Sequence, residues 1–247
     1  MKRRAVLLLA AVVLVSCSGG TRPGGQAPTT TAGTGTTTAV VTTSTTVACP
    51  SAAPPSTTVR QSQVSVDVDG NGTADPTTVF GTGTDAAPGP WFVSVQLGLN
   101  DRREAAIVDA DANDPAQHIR VLGAARVGGS NPAVFVAVGT GAAASIVGLF
   151  QLVGCDLVRV VTSEGTPATF TIGGTVTHLD GLRCDGSTGF TMLSARSADG
   201  TTYAGSTTKA VVVDGRVTTS PPETVATIDP PALDAYGHLD CPGVEPI

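Results

Sequence analysis

From Val64 onward the apolar residues recur at every second position, in short runs. These are VSVDV (64–68), WFVSVQLGL (91–99), AVFVAV (133–138), SIVGLFQLV (145–153), LVRVV (157–161), ATFTI (168–172), FTMLSA (190–195) and KAVVV (209–213). A period of two puts alternate side chains on opposite faces of a strand, and β-branched residues pack well on such a pleated surface. Turn residues separate the runs, and 30 Gly and 17 Pro in 247 residues leave almost no window with a helical period. Asp-Gly steps at Asp180-Gly181, Asp185-Gly186, Asp199-Gly200 and Asp214-Gly215 suit tight hairpin turns. VGCDLV predicts a further hairpin joining 145–153 to 157–161. The one helix-like window, REAAIVDADA from Arg103, is short and isolated. The sequence therefore predicts an all-β domain of short antiparallel strands and hairpins over residues 61–220, followed by a Pro-rich strap at 221–247.

The N-terminus reads differently. MKRRAVLLLAAVVLVSC has a basic start (Lys2, Arg3, Arg4) and then eleven apolar residues from Ala5 to Val15. Spanning a bilayer takes about 20 such residues, whereas a shorter run suits the core of a signal peptide. Leu14, Val15, Ser16 and Cys17 resemble the lipobox of bacterial lipoproteins. That resemblance implies cleavage after residue 16, a diacylglycerol thioether on Cys17 and membrane attachment on the extracytoplasmic face. Two or more acyl chains give stable anchoring, which one does not. An ordinary secreted protein with a chance Cys near the cut is the alternative.

Removing residues 1–16 takes three basic residues and no acid from the 14 basic and 20 acidic, leaving a net charge of −9. That sign, with no basic stripe among the aromatics, excludes a nucleic-acid partner. Residues 17–60 are rich in Thr, Ala and Gly and poor in charge, so they cannot bury enough apolar surface to offset ordering and read as a disordered stalk. The stalk is either an O-glycosylated Thr-rich segment or an unmodified spacer.

With Cys17 lipidated, Cys49, Cys155, Cys184 and Cys241 remain. An even number in an exported chain reads as two disulfides with three possible connectivities. The expected pairs are Cys155–Cys184, inside the β-rich core, and Cys49–Cys241, which would pin the domain ends together. None of the four forms a CxxC, which argues against a cysteine-held metal.

VSVDVDGNGTADPTTVF (64–80) concentrates acids between two strand-like runs. Counting from Asp67, oxygens fall at positions 1 (Asp67), 3 (Asp69), 5 (Asn71) and 9 (Asp75), with Gly70 and Gly72 permitting a tight curl. Such alternating oxygens can converge on Ca²⁺, which takes six to eight oxygen ligands. An EF-hand would require Glu at position 12, where Thr78 stands. The stretch resembles instead the D-x-D-G-N-G-x-x-D loops of FG-GAP or VCBS repeats, found in integrin-α-like propellers. That resemblance implies side-chain ligands from Asp67, Asp69, Asn71 and Asp75, a carbonyl ligand from Thr73, and one structural Ca²⁺. An Asx-rich turn without metal is the alternative.

AARVGGSNPAVFVAVGTG has the layout of a second, eroded repeat, with Ala125, Val127, Gly129 and Ala133 where ligands should stand. A third unit, more eroded still, runs through VTHLDGLRCDGSTGFTMLSA. About 160 residues supply three blades at most, too few for a closed propeller. Partial propeller-like blades and a compact β-sandwich both remain open. DADAND (Asp109, Asp111, Asn113) reads as a polar turn.

Catalytic signatures are sparse. His178-Leu179-Asp180 and His238-Leu239-Asp240 could each place an imidazole and a carboxylate on one strand face, while His118 stands alone. No G-x-S-x-G elbow presents a nucleophile, and no Gly-rich loop opens a helix to hold a phosphate. Glu104, Glu164, Glu223 and Glu245 are scattered, and Trp91 and Phe92 read as core anchors. The expectation is a non-enzymatic, lipid-anchored, calcium-binding module of the cell envelope, with an envelope protein or glycan as partner. A cell-wall hydrolase using an HLD site is the rival.

Overall fold

The computed structural model describes residues 49–110 and 118–247. The expected signal peptide, Cys17, the stalk to residue 48, and Asp111 and Asn113 of the second acidic run lie outside the described residues.

The alternating runs form strands. β1 (Val59–Val66), β2 (Asp75–Gly81), β3 (Trp91–Gly98) and β4 (Asp101–Ile107) make a four-stranded antiparallel meander. β5 (Arg120–Ala125), β6 (Ala133–Thr140), β7 (Ala144–Val153) and β8 (Asp156–Arg159) repeat the same up-and-down path. It continues through β9 (Thr169–Thr175), β10 (His178–Cys184), β11 (Phe190–Arg196), β12 (Tyr203–Val213) and β13 (Arg216–Thr219). One edge of β7 is shared: residues 144–148 pair with β9, and residues 150–153 pair with β8. The fold class is the expected one, all-β and antiparallel, in open sheets.

β6 explains the layering. All but its last residue are buried. Val134, Val136 and Val138 face a cluster with Val79, Trp91, Val93 and Val95 of the first meander. Ala133, Phe135 and Ala137 face the opposite way, into a cluster with Phe170, Leu182, Phe190 and Val212. A strand covered on both faces must be apolar throughout, which is why AVFVAV lacks the polar alternation of a half-exposed strand. A third, smaller cluster (Leu193, Ala195, Tyr203, Ile228, Tyr236) covers the far face of β11 and β12.

The C-terminal segment builds much of that third cluster. β14 (Glu223–Ile228) pairs with β12, a short helix α1 (Pro230–Leu233) leads into a 3₁₀ turn, and β15 (Leu239–Asp240) lies parallel to β10. The tail then bridges Val244 to Gly123 at the β5 edge.

Several local expectations change. The window from Arg103 is not helical, because Trp91 to Gln96 pair along it through Ile107 to Arg102, and this hairpin overrides its Glu and Ala propensity. Asp180-Gly181 is not a turn but lies mid-strand, opposite Ser194 and Leu193. Gly181 is needed there for a different reason, since a Cβ would lie 2.4 Å from the Ala235 carbonyl of the segment crossing above. Asp214-Gly215 is the expected tight turn, with φ of 49° and 73° between paired Val213 and Arg216. VGCDLV is the β7–β8 hairpin.

All four cysteines are bonded, but not as expected. The pairs are Cys49–Cys155 and Cys184–Cys241, in place of Cys155–Cys184 and Cys49–Cys241. Register supplies the reason for one. Leu182 pairs with Leu239 and Arg183 with Asp240 in parallel, so the next step brings Cys184 beside Cys241. The other bond ties the incoming chain to the β7–β8 turn. There Ala52 N–H donates to the Arg102 carbonyl, Arg102 N–H donates to Ser51 Oγ, and the Arg103 guanidinium donates to the Pro50 carbonyl. Non-reducing peptide mapping is expected to recover these two cross-links. Replacing both Cys184 and Cys241 by Ser should lower unfolding free energy by about 4 kcal/mol, the chain-entropy value for a loop of this length, read by urea denaturation.

Candidate metal centre

The acidic run forms the loop between β1 and β2, closed by pairing of Val66 with Asp75. Inside it the side chains sort by polarity. Val68 is fully buried in the core beneath, whereas Asp67 and Asp69 on either side point outward and Asp75 sits at the base, 4% exposed. Gly70 and Gly72 have φ of 77° and 86°, left-handed values that let the backbone curl.

The carboxylates organise the loop. Asp67 accepts from the Gly70 and Gly72 amides at 2.8 and 3.0 Å. Asp69 accepts from the Asn71 amide at 3.0 Å and its side-chain NH₂ at 2.9 Å. Asn71 Oδ1 accepts from the Thr73 amide at 2.6 Å, and Asp75 Oδ2 accepts from the Val68 amide at 3.1 Å.

One ligand atom each from Asp67, Asp69 and Asp75 lies within 4.8 Å of the others. Two unit charges about 5 Å apart repel by about 1 kcal/mol in water and about 3 kcal/mol in a typical protein-surface dielectric. Asp75 carries the consequence: burial first, and then the charges of Asp69 and Asp67, push its carboxyl above the ordinary carboxylate range against the opposing pull of the Val68 amide. Three convergent carboxylate oxygens form a hard donor set, and the cluster could hold a metal ion. Of the five expected ligands the fold thus gathers Asp67, Asp69 and Asp75. Asn71 spends its amide oxygen on Thr73 and its NH₂ on Asp69, and exposed Thr73 contributes its amide to that turn.

The stretch from Ala124 forms the hairpin β5 to β6, with Ala125 opposite Ala133. No spacing in the sequence signals what its loop contributes. Arg126 Nη2 donates to the Gly70 carbonyl at 3.3 Å, placing a cation against the acidic loop. Asp109 of the second acidic run is bound in an ion pair with Arg159 at 2.6 Å, whose guanidinium covers the Phe150 ring. Fifty residues separate the partners, beyond any local pattern.

The two HLD tripeptides diverge. His178 Nε2 lies 2.6 Å from Asp180, which also faces Arg196 at 3.5 Å. His238 turns instead to Asp234, 3.2 Å away across the 3₁₀ turn, leaving exposed Asp240 aside. Trp91 is a core residue, and Phe92 stacks on Phe80. Among the described residues no helix is long and apolar enough to cross a membrane. Comparison with family models, curated proteins and solved structures gives no match.

Asp75→Asn tests the electrostatics. A carboxyl whose pKa is raised on folding contributes stability that is present below its unfolded value and lost as pH rises through the folded value. In EDTA, the wild type should therefore lose stability relative to the variant over the span above the ordinary Asp value of about pH 4. Urea unfolding across that span checks it, and a pH-independent difference would contradict it.

Proposed function

We propose that this chain is a lipid-anchored, extracytoplasmic β-domain whose β1–β2 loop binds one structural Ca²⁺, and that it acts as a non-enzymatic binding or structural module of a bacterial envelope. The observation that carries the reading is the convergence of Asp67, Asp69 and Asp75 on one point. Oxygen-only, carboxylate-rich and partly exposed, the set suits calcium better than a softer metal. The Thr73 carbonyl, and Asn71 once its oxygen turns from the Thr73 amide, would complete the proposed shell. Without a Glu at position 12 to bind in bidentate fashion, affinity is expected to be modest, which suffices where calcium is plentiful.

The anchor rests on Leu14, Ser16 and Cys17 after a basic and apolar run. Bonding of all four remaining cysteines agrees with an oxidising compartment. The hydrolase reading is second. The His178–Asp180 contact favours it, but among the described residues neither that imidazole nor His238 hydrogen-bonds a hydroxyl that could act as nucleophile.

Calcium at 100 times its dissociation constant adds about 2.7 kcal/mol to the folded state. For about 200 described residues this raises Tm by about 5–10 °C over EDTA. Superimposable melting curves with EDTA and with calcium would remove the metal, and Asp75→Asn should abolish the response. Cys17→Ser should move the chain from the membrane pellet to the soluble fraction; unchanged partitioning would remove the anchor.

A further inference from the structure

β9 pairs with β10 only at its end, where Gly173, Gly174 and Thr175 meet Asp180, Leu179 and His178. Gly173 and Gly174 have φ of 105° and 146°, and a Cβ on Gly174 would lie 2.0 Å from the His178 carbonyl. Only glycines allow the strand to bend there. Beyond the bend residues 169–172 leave β10 and pair with β7. The parting opens a cleft of about 190 Å³ between β9 and the faces of β10, β11 and β12.

The lining is consistent across strands. Asp180 stands opposite Ser194, and Ser194 opposite Ser206, so a carboxylate and two hydroxyls form a row across three neighbouring strands. The next rung places Met192 opposite Thr208, and residues 169–171 line the β9 side. Phe170, set edge-on to Phe190, and half-buried Met192 supply an apolar surface. None of the hydroxyls of Ser194, Ser206 and Thr208 spends a side-chain hydrogen bond on another described residue. Asp180 is partnered by His178 and Arg196, so the cleft is not a bare acidic site.

We propose that this cleft binds one neutral sugar ring. Free hydroxyls and a carboxylate oxygen match the mixed donors and acceptors of a polyol, and Phe170 with Met192 matches its C–H face. The volume is below the roughly 300 Å³ at which drug-sized pockets begin, so it admits a single ring rather than a chain. The site is separate from the acidic loop and does not depend on calcium.

The test titrates the full-length ¹⁵N-labelled chain with methyl α-D-glucopyranoside, methyl β-D-galactopyranoside, N-acetylglucosamine and, as a cationic control, spermidine. At least one sugar should shift the amides of residues 169–171, Asp180, Ser194 and Ser206, saturating with a dissociation constant on the order of millimolar. Replacing Ser194 and Ser206 together by Ala should weaken it about tenfold or more, while Thr219→Ala, on exposed β13, leaves it unchanged. If the double variant does not fold, Thr208→Val is read in its place. No shift with any sugar, shifts elsewhere, shifts indifferent to the substitutions, or shifts with spermidine alone would overturn the proposal. Repeating the titration in EDTA keeps this outcome distinct from the calcium reading, which is judged by melting temperature.

Discussion

Burial of β6 on both faces is the constraint from which the architecture follows. Its valines face one sheet and its alanines and Phe135 face another, so one strand serves two hydrophobic clusters. The first meander is held because Val79, Val93 and Val95 need those valines. The β9–β13 region is held because Phe170, Phe190 and Val212 need the opposite face. Removing apolar area from water stabilises at about 25 cal/mol per Å², and a strand that buries both faces gains about twice what a one-faced strand of the same length gains. The small side chains on the inner face, Ala133 and Ala137 flanking Phe135, let the layers approach closely around one large ring.

The termini consolidate what β6 organises. The incoming chain meets β4 through Ser51 and Ala52 and is locked to the β7–β8 turn, and the outgoing chain lies along β10 and crosses to β5. Cys184–Cys241 thus fixes the C-terminal segment to the sheet it already hydrogen-bonds, whereas Cys49–Cys155 ties a segment hydrogen-bonded to β4 across to the other sheet. The arrangement makes sense of a Pro-rich C-terminus. Prolines at 221 and 222 precede β14, and those at 230 and 231 open α1, positions where a missing amide hydrogen costs nothing.

Much of the fold is legible in the alternation of apolar residues, since the period of two is imposed by strand geometry itself. What the sequence hides is non-local. β4 contains Glu104, Ala105 and Ala106, good helix formers, and becomes a strand only because β3 lies alongside. Asp180-Gly181 has the composition of a turn, yet its glycine answers to Ala235, over fifty residues away. The Cys184–Cys241 pair depends on β15 lying parallel to β10, and two residues are too few to show a period. At the acidic loop the residue types alone indicate which carboxylates converge, because the loop is local and its curl is set by Gly70 and Gly72. The Arg126 contact and the cleft lined by Ser194 and Ser206 are legible only once the strands are in register.

That Arg126 contact gives the β5–β6 loop a place beside the proposed cation site. Three ionised carboxylates carry −3 and a divalent ion supplies +2, so a filled site would retain a net negative charge. The β5–β6 loop directs the Arg126 guanidinium onto the Gly70 carbonyl of the acidic loop. An always-charged guanidinium held on this loop partly offsets the residual charge, screened by solvent because the contact is exposed. It does so without displacing a ligand, since it bonds the backbone and not a carboxylate.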